Sequence, residues 1–95
     1  MSTVEILQFL KENKPMFQES MGVQNIGLFG SYAKGVASTD SDIDIFVEMP
    51  PDFSNLMRLR QYLEVHLGQS IDLLRKGPHL RPSFLKSIEP DLIYA

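Results

Sequence analysis

Residues 29–49, "FGSYAKGVASTDSDIDIFVEM", decide the fold that we expect for this chain. In the second half of this stretch acidic and apolar side chains alternate: Asp42 and Asp44 are each followed by an isoleucine, Ile43 and Ile45. Because successive side chains of a β-strand point to opposite faces, the alternation predicts a strand over residues 42–48. Its apolar face should lie on the core, and its other face should carry two carboxylates close together.

A glycine-serine turn precedes the two acids. Residues 25–30, "NIGLFG", predict another strand, which Gly30 and Ser31 close, and we expect a short helix over residues 32–36 to follow. Gly30 lets the backbone approach a ligand closely, while Ser31 offers a hydroxyl and an amide near a helix start. The turn therefore suits an anion such as phosphate, although its spacing fits neither a P-loop nor a dinucleotide fingerprint.

The first helix is predicted from its cap. Ser2 and Glu5 have the spacing of a capping box, in which each side chain satisfies a free amide at the helix start. Pro15 lacks an amide and disfavours helical geometry in the residue before it. We therefore expect two helical pieces, over residues 3–13 and 15–21.

The remaining elements complete an α+β pattern. Leucines recur at the spacing of one buried helix face after Asp52, and proline-rich segments separate the later elements. We predict an α+β fold in which helices cover one face of a small mixed β-sheet, with residues 1–95 as a single domain. The other predicted elements are a helix over 53–67, a strand over 70–74 and a helical turn around 83–88.

Composition narrows the classes of function. The chain has 95 residues, a formal net charge of −3 and no cysteine. A chain this short buries only about 60 to 65% of its unfolded surface, so a large internal cavity is not expected. The negative charge argues against coating duplex nucleic acid or a membrane surface, and the lack of cysteine excludes disulfides and thiol chemistry. Without a secretion signal or a membrane span, we expect a cytoplasmic protein.

A third acid repeats the pattern of the first two. Asp72 is flanked by Ile71 and Leu73, which would bury the opposite face of the third strand. If that strand lies beside the one carrying Asp42 and Asp44, three carboxylates come together. Oxygen ligands without histidine or cysteine suit Mg²⁺ or Mn²⁺, which also accept substrate phosphates, and such acids can hold two ions about 3.5 to 4 Å apart.

These features together resemble a known family. The motifs are "GS" at residues 30–31, "DSDIDIFV" at 40–47 and "IDLL" at 71–74. They resemble the minimal nucleotidyltransferases of the DNA polymerase beta superfamily, which are the small partners of HEPN toxins in prokaryotic toxin-antitoxin pairs. The resemblance covers nearly the whole chain and implies a fold like the polymerase beta palm.

The resemblance also implies a role for each site residue. It assigns Asp42 and Asp44 to the binding of two divalent metal ions, and Asp72 to the catalytic metal and to deprotonation of the attacking hydroxyl. It assigns Gly30 and Ser31 to the triphosphate of ATP. The implied reaction moves AMP from ATP onto a hydroxyl of a HEPN toxin, which the chain would meet in a homo- or hetero-oligomer.

Other interpretations stay open at this point. The chain could be an antitoxin that acts by binding alone, or it could transfer a nucleotide to a small hydroxylated substrate such as an aminoglycoside. Ser31 could be only a helix cap, and Asp44 only a charge that protects a sheet edge from aggregation. His66 and His79 lack the spacing of metal ligands and receive no role, and the sequence does not decide between stacking on a nucleotide and packing for Tyr32.

Overall fold

The computed structural model describes residues 1–95, which form four α-helices, one short 3₁₀ helix and four β-strands. None of the helices combines the length and the apolar character that crossing a membrane requires. In chain order the elements are α1 (Thr3–Met21), β1 (Asn25–Phe29), α2 (Gly30–Lys34), β2 (Ile43–Glu48), α3 (Phe53–Leu67), β3 (Ile71–Arg75), α4 (Pro82–Ile88), the 3₁₀ helix (Glu89–Asp91) and β4 (Ile93–Tyr94).

The four strands form one mixed sheet in the order β3-β2-β1-β4. Strand β1 is antiparallel to both β2 and β4, whereas β2 and β3 are parallel. Parallel neighbours need a crossover connection, and α3 supplies it between β2 and β3. The mixed sheet with its helices confirms the predicted α+β fold.

One face of the sheet packs against α1 and α3. Ile43, Ile45 and Val47 of β2 are completely buried there, which confirms the face predicted from their alternation. Burying a side chain of this size stabilises the fold by about 1.5 to 3 kcal/mol. Helices α1 and α3 contribute the other side of this core. Their buried residues are Ile6, Leu10, Phe17, Met21, Leu59, Leu63 and Leu67.

The opposite face carries the acids but is not wholly exposed. Phe46 lies on that face and is only 2% exposed, because the ring centroids of Phe29 and Tyr94 each lie 6.5 Å from its own. Leu85 and Ile88 of α4 line a cleft on this face together with Phe46 and Tyr94. The C-terminal segment therefore covers the middle of this face and leaves the end with the acids open.

The expected break in the first helix is wrong, because α1 runs without interruption through Pro15. Its capping box between Ser2 and Glu5 forms as predicted. Pro15 is exposed, as is Lys11, whose carbonyl loses its helical partner, so water can replace the missing hydrogen bond. Burial of one continuous apolar face on both sides of the proline outweighs that loss.

Several element boundaries differ from the prediction by one or two residues. Strand β2 begins at Ile43 rather than Asp42, and α2 begins at Gly30 rather than Tyr32. The predicted helix over 53–67 is confirmed as α3. Strand β4 was not predicted, because its two residues are too few to show a pattern and form only by pairing with β1.

Candidate functional site

Asp44 and Asp72 are directly paired on the parallel strands β2 and β3. Neighbouring strands lie about 4.8 Å apart, and paired residues point to the same face, so the two carboxylates meet. Burial, the facing carboxylate of Asp72 and, as the smallest cause, the charge of Asp42 together raise the pKa of Asp44 from 3.8 to about 6. The pair is therefore a place where negative charge is concentrated and only partly solvated.

Asp42 is near enough for its charge to affect Asp44, but it does not form a cluster of three carboxylates with this pair. It precedes β2, outside the paired residues, and its side chain is exposed. Nowhere on the chain do three or more histidine or acidic side chains converge closely enough to hold one ion. The structure thus brings together two of the three predicted acids, and the charge of Asp42 contributes only to the raised pKa of Asp44.

Gly30 lies close to Asp44 of the acidic pair. Its φ of +73° lies in the left-handed region, which favours glycine. A Cβ at this position would lie 2.9 Å from Cγ of Asp44 and closer still to its Oδ2. Only a glycine therefore allows the turn and the carboxylate to occupy their observed places.

Ser31 is the second residue of α2 and is partly buried. Phe29 occupies the N-cap position, and no side chain caps the helix, so the interpretation of Ser31 as a helix cap is wrong. Amides in the first turn of a helix have no partner within it. The turn therefore offers donors beside the two carboxylates.

The donor set at this end of the sheet fits a hard divalent cation. Mg²⁺ is bound in proteins through one or two carboxylates, with water and substrate phosphates in its other positions, so the pair of Asp44 and Asp72 is sufficient to begin a site. Burial and the charge of Asp72 raise the pKa of Asp44, and a cation between the two carboxylates would offset both effects.

His66 belongs to α3, in the helical layer. Its ring packs against that of Tyr62, with the centroids 4.0 Å apart and the ring planes tilted by 34°. Sequence reasoning did not settle the place of Tyr32, which the structure buries with its hydroxyl hydrogen-bonded to Gln69.

We expect the metal-free protein to become less stable as the pH rises through the titration of Asp44. Its folded-state pKa is raised from 3.8 to about 6, so the folded protein holds the proton more tightly than the unfolded chain, and stability falls between these values. With a reduction for solvent screening, the loss is about 1 to 2 kcal/mol, and Asp44→Asn should avoid it. Chemical denaturation at pH 4 and pH 7.5, with a chelator present, measures the difference.

Asp40→Asn is the control. This substitution removes the same charge as Asp44→Asn, but Asp40 is exposed and lies in the loop before β2. A difference in stability between the wild type and Asp44→Asn that does not change with pH would contradict this prediction.

Comparison with known sequences identifies relatives over almost the whole chain. The profile of the nucleotidyltransferase domain family matches residues 4–95. The protein adenylyltransferase MntA of Thermococcus cleftensis is 37% identical over 92 residues, which cover 95% of this chain and 92% of the relative. A predicted protein adenylyltransferase of Methanocaldococcus jannaschii is 44% identical over 94 residues, covering 95% and 94%.

Solved structures share the fold. A predicted minimal nucleotidyltransferase, 27% identical, superposes with a TM-score of 0.79 over 98% of this chain and 95% of the other. A toxin-antitoxin protein crystallised with AMP-PNP is 26% identical, with a TM-score of 0.68 over 99% of this chain and 72% of the other. Because the family profile matches residues 4–95 and a relative 44% identical covers 95% of it, the chain belongs to the nucleotidyltransferase domain family.

Proposed function

We propose that this protein is a metal-dependent adenylyltransferase that moves AMP from ATP onto a hydroxyl of a HEPN toxin and so acts as its antitoxin. The pairing of Asp44 with Asp72 beside the Gly30 turn carries this proposal. The protein adenylyltransferases among its relatives, and the toxin-antitoxin structure with AMP-PNP, support it.

Each site residue has a proposed task. Asp44 and Asp72 bind Mg²⁺ or Mn²⁺, and the exposed Asp42, free to change rotamer, is a further ligand for a pair of ions. When bound, the ions supply positive charge to the attacking and leaving oxygens. Asp72 also accepts the proton of the attacking hydroxyl.

The glycine-serine turn has the proposed task of binding the triphosphate. Gly30 and Ser31 begin α2, and their backbone amides and the Ser31 hydroxyl can donate to phosphate oxygens. Holding the triphosphate here fixes the α-phosphorus relative to the acids, which lowers the entropy cost of reaching an in-line geometry.

The openness of the site favours a macromolecular acceptor. Asp42 and Asp72 are both exposed, so a hydroxyl on the surface of another protein can reach them. Residues 1–95 are proposed to act as one domain, because α1, α3 and the sheet share one core. Because the proposed reaction uses ATP, we propose that it takes place in the cytoplasm.

We expect the protein with Mg²⁺ to transfer label from α-labelled ATP to a HEPN toxin, and none from γ-labelled ATP, because pyrophosphate leaves. Electrophoresis followed by autoradiography measures the transfer, and a chelator should abolish it. Label on the toxin from γ-labelled ATP would indicate a kinase instead. An absence of label combined with full neutralisation of the toxin by a variant carrying Asp42→Ala and Asp44→Ala would indicate an antitoxin that acts by binding alone.

A further inference from the structure

Tyr32 is the third residue of α2 and directly follows the glycine-serine turn. It is the only buried residue of α2 and is 4% exposed. Its hydroxyl donates to Oε1 of Gln69 at 2.6 Å and lies 3.5 Å from the carbonyl oxygen of Ser38. A phenol ring has few rotamers, so the position of this hydroxyl is well defined.

The two acceptors belong to the segments that lead into the acids. Gln69 lies in the turn between α3 and β3, three residues before Asp72. The next residue, Ser70, accepts a hydrogen bond from the amide of Ile43 at 3.0 Å, which joins this turn to the start of β2. The Tyr32 hydroxyl is therefore linked to both acidic strands where they begin.

Ser38 begins a tight turn that ends just before Asp42. Its amide donates to Oγ of Ser41 at 3.0 Å, and the amide of Ser41 donates back to its carbonyl oxygen at 3.1 Å. The oxygen that approaches the Tyr32 hydroxyl is the same carbonyl. One hydroxyl thus meets the turn before Asp42, the turn before Asp72 and the helix that begins at Gly30.

The N-terminus of α1 holds the backbone of Tyr32 in place. The Thr3 hydroxyl donates to the carbonyl oxygen of Tyr32, so α2 is hydrogen-bonded through both the main chain and the side chain of this residue. None of these groups is hydrogen-bonded to an acid of the site.

We infer that Tyr32 is a positioning residue for nucleotidyl transfer: its hydroxyl sets the distance between the glycine-serine turn and the two acidic strands. The inference rests on the proposed function. If the turn holds the triphosphate and the acids hold metal ions, a small change in their separation moves the α-phosphorus out of line, and displacements near 1 Å can cost about a hundredfold in rate.

Tyr62 provides a matched comparison. Its hydroxyl also donates to a side chain, Oδ1 of Asn13, at 3.1 Å, but this bond joins α3 to α1 in the helical layer. Tyr62→Phe therefore removes the same chemical group from a hydrogen bond that no acidic segment shares.

We expect Tyr32→Phe to lower kcat for AMP transfer roughly tenfold, with KM for ATP changed less than threefold, because the turn and the acids remain but their separation is no longer set. Gln69→Leu should have the same effect on kcat. The double variant with Tyr32→Phe and Gln69→Leu should lose no more activity than either single variant, because all three lack the hydrogen bond between Tyr32 and Gln69. Tyr62→Phe should keep full activity. Equal activity of Tyr32→Phe and wild type, or additive losses in the double variant, would contradict the inference.

Amide hydrogen exchange tests the same bond without any turnover. In Tyr32→Phe the amides of Ser41 and Ile43 should exchange at least threefold faster than in wild type, whereas Tyr62→Phe should leave them unchanged. Unchanged exchange in Tyr32→Phe contradicts the inference even if activity falls. A wild type that transfers no AMP contradicts the proposed function, and an active wild type with a fully active Tyr32→Phe contradicts only the inference.

Discussion

Asp44→Asn should abolish AMP transfer, with a fall in kcat on the order of a thousandfold or more. Asparagine keeps the size of the side chain but loses the charge that would hold a cation against Asp72. Partial burial and the facing carboxylate of Asp72 also raise the pKa of Asp44 to about 6. Initial rates with α-labelled ATP and saturating Mg²⁺ measure the loss.

The same variant should remain folded, because removal of one of two facing charges relieves repulsion rather than adding it. Circular dichroism and thermal unfolding at pH 7.5 should therefore show a protein at least as stable as wild type. Asp40→Asn, with the same change in charge at an exposed loop position, should keep its full rate. Activity of Asp44→Asn within tenfold of wild type would remove this acid from the proposed chemistry.

Gly30→Ala should remove both activity and a large part of the stability. An L-residue at a φ of +73° costs about 1 to 2 kcal/mol. Its Cβ would also lie 2.9 Å from Cγ of Asp44, and such overpacking costs about 1 to 3 kcal/mol more. Asp44 must then move from its place beside Asp72, so we expect AMP transfer to fall at least about a hundredfold.

Gly68→Ala separates the two costs. Gly68 ends α3 with a φ of +69°, and a Cβ there would meet nothing within 4 Å. Gly68→Ala should therefore show the backbone cost alone, about 1 to 2 kcal/mol, with normal transfer. Combining Gly30→Ala with Asp44→Ala should restore part of the lost stability and none of the activity. If urea denaturation shows equal losses for Gly30→Ala and Gly68→Ala, the close approach of Gly30 to Asp44 has no energetic importance.

Helix α1, which continues through Pro15, shows where local rules fail. Pro15 disfavours a helix in isolation, yet α1 continues through it, because Leu10 and Phe17 on either side are buried in the same core. Phe46 shows a related failure. Its position in β2 places it with the acids, but its burial depends on Tyr94, which is nearly fifty residues away in the chain.

The sequence by itself determined which faces of the strands are apolar and which residue types are available for catalysis. A period of two is a local property of extended chain, so Ile43 and Ile45 could be assigned to the core without knowledge of their neighbours. Only the tertiary structure decided that Asp44, and not Asp42, is paired with Asp72 across the two strands. It also decided that the Tyr32 hydroxyl is hydrogen-bonded to Gln69. The reason is physical: strand register and buried hydrogen bonds depend on how α1 and α3 pack on the sheet, which joins residues far apart in the chain.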